Sequence, residues 1–81
     1  MDNNQIDKVF DIASKLIQSS EEKLTVYSLI FDEAGLSDAE LEQTLVFLKD
    51  IDLISFTAKV FNAVDPIYLT HKGRQKYLQL R

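Results

Sequence analysis

Ala34-Gly35-Leu36-Ser37-Asp38-Ala39-Glu40 places a helix stop and a helix start two residues apart. Gly35 is the residue type that accepts a left-handed backbone just past a helix C-terminus. Ser37 and Glu40 form a Ser-x-x-Glu capping box, in which each side chain takes up a backbone N–H of the other's residue. Upstream, Val26, Tyr27, Leu29, Ile30, Phe31 and Ala34 spread over about 200° of a helical wheel. A mostly enclosed helix is therefore predicted over 25–34. Downstream, Leu41, Leu45 and Leu48 fall within about 60° of one another, which predicts a second helix over 38–51 with a narrow apolar stripe. Its opposite face carries Asp38, Ala39, Glu42, Gln43, Val46, Lys49 and Asp50. Two helices joined so tightly make a helix-turn-helix connection.

The flanks extend this pattern. Ile6, Val9, Phe10, Ala13, Leu16 and Ile17 recur at helical spacing, with Ile12 widening the stripe to about 160°, and predict a helix over 4–19. Asp2 or Asn3 can cap it, and the polar run Ser19-Ser20-Glu21-Glu22-Lys23 ends it. Leu24-Thr25 reads as a short extended link. Beyond Leu53 the period changes to two: Ile54, Phe56, Ala58 and Val60 alternate with Ser55, Thr57 and Lys59. That alternation predicts a strand over 54–60, and Ile67-Tyr68-Leu69 predicts its return over 67–70. Asn62-Ala63-Val64-Asp65-Pro66 supplies the turn between them. Thr70 is placed to cap a last helix over 71–79.

This order, with the residues at its joints, resembles the winged-helix variant of the helix-turn-helix family. Ala34-Gly35-Leu36-Ser37 resembles the turn before a recognition helix. Leu45-x-x-Leu48-x-x-x-Asp52-Leu53-Ile54 resembles the passage from that helix into the first strand of the wing, with Asp52 where the family usually has Gly. Tyr68-x-Thr70-x-Lys72-Gly73-Arg74 is similar to the Leu-Thr-x-Lys-Gly segment that leads from the wing into the last helix. The likeness spans roughly residues 6–80. It implies an α+β fold: one small winged-helix domain over 1–81, with a three-helix core, a β-hairpin wing and a C-terminal helix. The family includes DNA readers, protein-binding modules and dimerisation units, so the likeness points to a regulatory or interaction role.

Composition agrees with one domain. The chain has 81 residues, 46% hydrophobic and 27% charged, with two glycines and one proline. This balance is that of a globular domain with one modest core. No cysteine is present, which removes disulfides, thiolate metal sites and thiol nucleophiles. The polar start and the short apolar runs predict neither a signal peptide nor a membrane span, hence a cytoplasmic chain without a membrane partner.

Catalytic chemistry finds little to work with. His71 is the single histidine, beside Lys72 and Arg74, which disfavour a bound cation. Asp50-Ile51-Asp52 lacks the glycine and glutamate that an EF-hand loop needs further on, where Ser55 and Phe61 stand. Gly35 and Gly73 lie in no phosphate-cradling motif. Ser37 has no base beside it, and capping accounts for it. The sequence therefore predicts no enzyme, cofactor, metal or small-molecule substrate.

Charge divides the remaining readings. Residues 1–54 carry twelve acids and four bases, net −8; residues 55–81 carry one acid and five bases, net +4. On the second helix of the pair, Gln43 is suited to adenine and Lys49 to phosphate. Asp38, Glu42 and Asp50 share their face and repel the DNA backbone. Residues 31–52 hold seven acids and one base, where a groove reader is normally neutral or basic. Lys59, Asn62, Lys72, Arg74, Lys76 and Arg81 are better placed for backbone contact through the wing and last helix. Against this stands a surplus of large apolar residues: Phe47, Phe61 and Ile12, with Tyr27 and Phe31 at the edge of their helix. That surplus predicts a protein partner or a two-fold homodimer.

Overall fold

The computed structural model describes residues 3–57 and 59–80. A cap from Asp2, Ala58 in the strand alternation and the charge of Arg81 lie outside the described residues. Four helices and three strands follow in the order α1 (Asn3–Ser19), β1 (Leu24–Val26), α2 (Tyr27–Ala34), α3 (Asp38–Asp50), β2 (Ile54–Ser55), β3 (Pro66–Leu69) and α4 (His71–Gln79). The result is a small compact α+β fold.

The α2–α3 corner forms as its residues dictate. Gly35 takes φ 68°, the left-handed conformation. Ser37 Oγ accepts from the Glu40 backbone N–H at 3.3 Å, and Glu40 Oε1 accepts from the Ser37 backbone N–H at 3.3 Å. This closes the capping box. At the other end of α3, the Leu53 N–H donates to Leu48 O at 3.0 Å and the Asp52 N–H to Lys49 O at 2.9 Å. This is the Schellman pattern, which needs a left-handed residue at its centre. Asp52 supplies it, with φ 66°. Asp is one of the few non-glycine types that enter this region at modest cost.

The sheet is antiparallel with spatial order β1-β3-β2. Leu24, Thr25 and Val26 face Tyr68, Ile67 and Pro66 in register; Ile54 and Ser55 face Leu69 and Tyr68. Two expectations are corrected here. The link before α2 is a paired strand through Val26, so α2 begins at Tyr27 rather than Thr25. The strand expected over 54–60 pairs only at Ile54 and Ser55. From Phe56 the chain leaves the ladder, although Phe56 keeps the inward side that alternation assigns it, at 5% exposure and with its ring centroid 4.7 Å from that of Phe61. Pro66 at the start of β3 offers no N–H to extend the pairing.

One core unites the elements. Val9, Phe10, Ala13 and Ile17 of α1 meet Ile30 and Ala34 of α2 and Leu41, Leu45 and Leu48 of α3. Leu53, Ile54, Phe56 and Ile67 close it from the sheet side, and Tyr77 from α4. Two of the buried hydroxyls are bonded: Ser14 Oγ donates to Asp11 O at 3.1 Å, and Thr44 Oγ1 accepts from Gln5 Nε2 at 3.0 Å and donates to Glu40 O at 2.8 Å, tying α1 to α3. Thr25 Oγ1 is buried without a hydrogen-bond partner among the described residues.

The joint between β2, β3 and α4 is tighter still. Thr70 Oγ1 accepts from the Gly73 N–H at 2.9 Å and donates to Asp52 O. The Thr70 N–H donates to Leu53 O at 3.2 Å. A Cβ on Gly73 would lie 1.9 Å from Leu53 O, so only glycine lets α4 start this close to β2.

Candidate interaction surfaces

The outward face of α3 exposes Asp38, Ala39, Gln43, Val46 and Asp50, with Glu42 half-buried. A shallow depression on it is lined by Ala39, Glu42, Gln43 and Val46. Lys49, the only base in the segment 31–52, is turned toward the sheet. Its Nζ donates to Phe56 O at 2.8 Å and sits 4.7 Å from the centroid of the Phe56 ring. A lysine held by a carbonyl and a ring is drawn away from any phosphate in front of the helix. The Asp38 carboxylate instead accepts from Tyr27 Oη at 2.7 Å. Burial of Tyr27, then that hydrogen bond and the charges of Asp38 and Glu42, push the phenol above its ordinary range. It stays a neutral donor.

The other bases do not form one patch. Lys72 Nζ donates to Ile51 O at 3.3 Å at the end of α3. Lys76 Nζ lies 5.7 Å from the Phe10 ring centroid, against α1. Arg74 is exposed and lies about 200° around the helix from both lysines. Lys59 and Asn62 are exposed in the 56–65 segment, where the Asn62 backbone N–H donates to Asp65 Oδ2 at 2.6 Å. Arg81 lies outside the described residues.

The apolar residues singled out from sequence sit further inward than expected. Ile12 and Phe61 are half-buried and pack against the core. Phe61 stacks on Tyr27 with centroids 5.1 Å apart, and Tyr27 in turn stacks on Phe31 at 6.1 Å. Tyr27 itself is buried. Phe47 is half-buried on the flank of α3. The large apolar side chains that do reach the surface are others: Leu29 and Val46 on the helices, Val60 and Val64 in the 56–65 segment, and Tyr68 on β3. Ile51, Leu78 and Leu80 add to them around the ends of α3 and α4. With Gly73 and Tyr77 on the buried side of α4, Leu78 falls off that stripe, whereas Leu80 falls on it by spacing and is exposed all the same.

Between the end of α3 and α4 lies a groove of about 490 Å³. Leu53, Ile51 and Leu80 give it apolar walls, and Lys72 and Lys76 of α4 line it together with Gln75 and Gln79. Its lining carries two lysines and no acid.

No metal centre emerges among the described residues, where no three His, Asp or Glu side chains converge. His71 is exposed, its Nε2 3.2 Å from Gln75 Nε2. Among these residues no helix is long and apolar enough to cross a membrane. Comparison with family models, curated proteins and solved structures finds no match.

Proposed function

We propose that this chain is a winged-helix module that acts by protein contact, without catalysis and without reading DNA through α3. The order of elements, the β1-β3-β2 sheet and the α2–α3 corner support the winged-helix reading, with 54–69 as the wing. The observation that carries the functional reading is Lys49. The one base on the would-be recognition helix is engaged by Phe56 O and the Phe56 ring, which leaves Asp38, Glu42 and Asp50 to dominate the face. Carboxylates there repel phosphate at every register. Exposed apolar side chains at the ends of α3 and α4 suit a protein partner or a second copy instead.

Titration of the whole chain with mixed-sequence duplex DNA, at low and then moderate salt, tests this. The expected result is no saturable binding by the native chain and weak, salt-sensitive binding by Glu42→Lys. Tight native binding that Glu42→Lys destroys would make Glu42 a base reader and overturn the proposal. Binding lost with Lys59 and Arg74 neutralised would assign DNA contact to the wing and last helix.

A further inference from the structure

We propose that the groove between the end of α3 and α4 binds an acidic amphipathic helix of a partner protein, an inference that rests on the interaction reading above and names its partner. The walls come first. Leu53 is buried at the base, while Ile51 is 36% and Leu80 63% exposed, so apolar surface stands open to water on both sides. Lys72, Gln75, Lys76 and Gln79 follow at i, i+3, i+4 and i+7, one stripe of α4 that faces this space. A stripe of that kind along an apolar trough is the geometry in which a second helix lays its anchors.

Charge selects the occupant. The lining holds two lysines and no acid, in a chain whose net charge is −4. Asp50 and Asp52 flank Ile51 in sequence but do not line the groove. Lys72 is held on the α3 side by a 3.3 Å bond to Ile51 O, and Lys76, whose stem lines the groove, carries its ammonium on the α1 side, 5.7 Å from the Phe10 ring centroid. Each ammonium keeps further donors for a carboxylate. Partial ordering in the free chain lowers the entropy lost on binding. The ligand that matches is a helix with large apolar anchors flanked by Glu or Asp.

Other occupants fit less well. A sugar–phosphate backbone would meet the lysines but leave Ile51 and Leu80 against a charged, hydrated surface. A second copy would have to offer an acidic helix with apolar anchors; the acidic face of α3 offers only Ala39 and Val46, and that of the eight-residue α2 a single anchor, Leu29. The groove is small and its charges are exposed, so the complex is of the transient class.

The test follows the backbone amides of the full chain by NMR during titration with three probes at one salt concentration. The probes are a helical peptide with Leu and Phe anchors and Glu elsewhere, the same peptide with every Glu replaced by Lys, and mixed-sequence duplex DNA. The Glu peptide should move the amides of Ile51, Leu53 and residues 72–80, and bind about tenfold more tightly than the Lys peptide. Lys72→Glu with Lys76→Glu should lower its affinity at least about tenfold. Arg74→Glu, a charge reversal off the groove, should change it by no more than about twofold. Leu80→Ser, at an exposed position, should weaken binding several-fold without disturbing the remaining spectrum.

Equal binding of the two peptides overturns the proposal, as do shifts confined to other surfaces. So do the same shifts produced by DNA, or by raising the protein concentration alone, which would assign the groove to phosphate or to a second copy. A silent groove with DNA also inert removes this proposal and leaves the interaction reading standing. DNA shifts at Ala39, Gln43 and Val46 remove that reading itself.

Discussion

The joint where α4 meets β2 and the segment 56–65 between β2 and β3 lie on the same side of the chain order, and different forces hold them. At the joint, backbone meets backbone: Thr70 bridges the Gly73 N–H and Asp52 O, and Gly73 lies against Leu53 O with no room for a methyl group. In the 56–65 segment rings supply the packing, beside a few hydrogen bonds: the Ser28 N–H donates to Ala63 O at 3.0 Å, and the Asn62 N–H to Asp65 Oδ2 at 2.6 Å. Phe61 meets Phe56 in a tilted contact and stacks on Tyr27, which comes from a different element. Hydrogen-bonded joints are directional and stop abruptly, whereas ring contacts are broad and yield by degrees. The two regions should therefore fail in different ways.

Gly73→Ala is the harshest test of the difference. The obstructing atom is a carbonyl oxygen fixed in the backbone, so α4 with its N-cap Thr70 must move away and strain the bonds from Thr70 to Asp52 O and Leu53 O. A loss of about 3 kcal/mol in urea unfolding is expected, at the upper end for overpacking. A loss below about 1 kcal/mol would mean that the joint opens freely and is no more rigid than the 56–65 segment.

Phe61→Ala attacks the other region. A fully buried Phe costs about 3–5 kcal/mol when truncated; for this half-buried ring about 2 kcal/mol is expected. Amide exchange should quicken over 56–65 while 70–79 keeps its protection. If both segments loosened together, ring and backbone contacts would belong to one cooperative unit.

The same contrast explains how much of the molecule can be read from its sequence. Helix boundaries at Ala34, Asp38 and His71 are encoded within four residues by Gly35, the Ser37–Glu40 pair and Thr70, and local rules find them. The length of β2 is not local. The alternation from Ile54 to Val60 is equally consistent with a long strand, and where its pairing stops depends on the partner strand, which begins at Pro66, a residue with no N–H to donate. For the surfaces, the acidic face of α3 follows from its wheel. The engagement of Lys49 does not, because the carbonyl that holds it lies seven residues on, across a change of secondary structure. The apolar surplus was legible as a quantity, but the assignment to Ile12 and Phe61 failed to anticipate their packing on the core. Exposure at Ile51, Leu78 and Leu80 depends on how α4 docks.

Ser37→Ala removes one acceptor from the local corner and leaves every tertiary contact in place. About 1 kcal/mol of stability should be lost in urea unfolding, with a native-like spectrum. Glu40→Ala should cost less, since it releases only the second half of the box. A loss at Ser37 as large as at Gly73 would show that the corner, too, is held from outside.

The smallest effect has the opposite sign. Asp52 sits at φ 66° between the bonds that close α3, a place where Gly is free of the Cβ penalty and Asp is not. Its backbone carbonyl, not its carboxylate, receives the bond from Thr70, and any residue supplies a carbonyl. Asp52→Gly should therefore raise stability by about 0.5 kcal/mol, the relief of the left-handed strain less the greater freedom of glycine in the unfolded chain. Asp52→Ala should lower it by a similar amount, because alanine keeps the strain without aspartate's local hydrogen bonding. Paired unfolding curves on the two variants separate these effects from loss of charge, which both share. If Gly and Ala shifted stability in the same direction, the carboxylate would outweigh the backbone at this position.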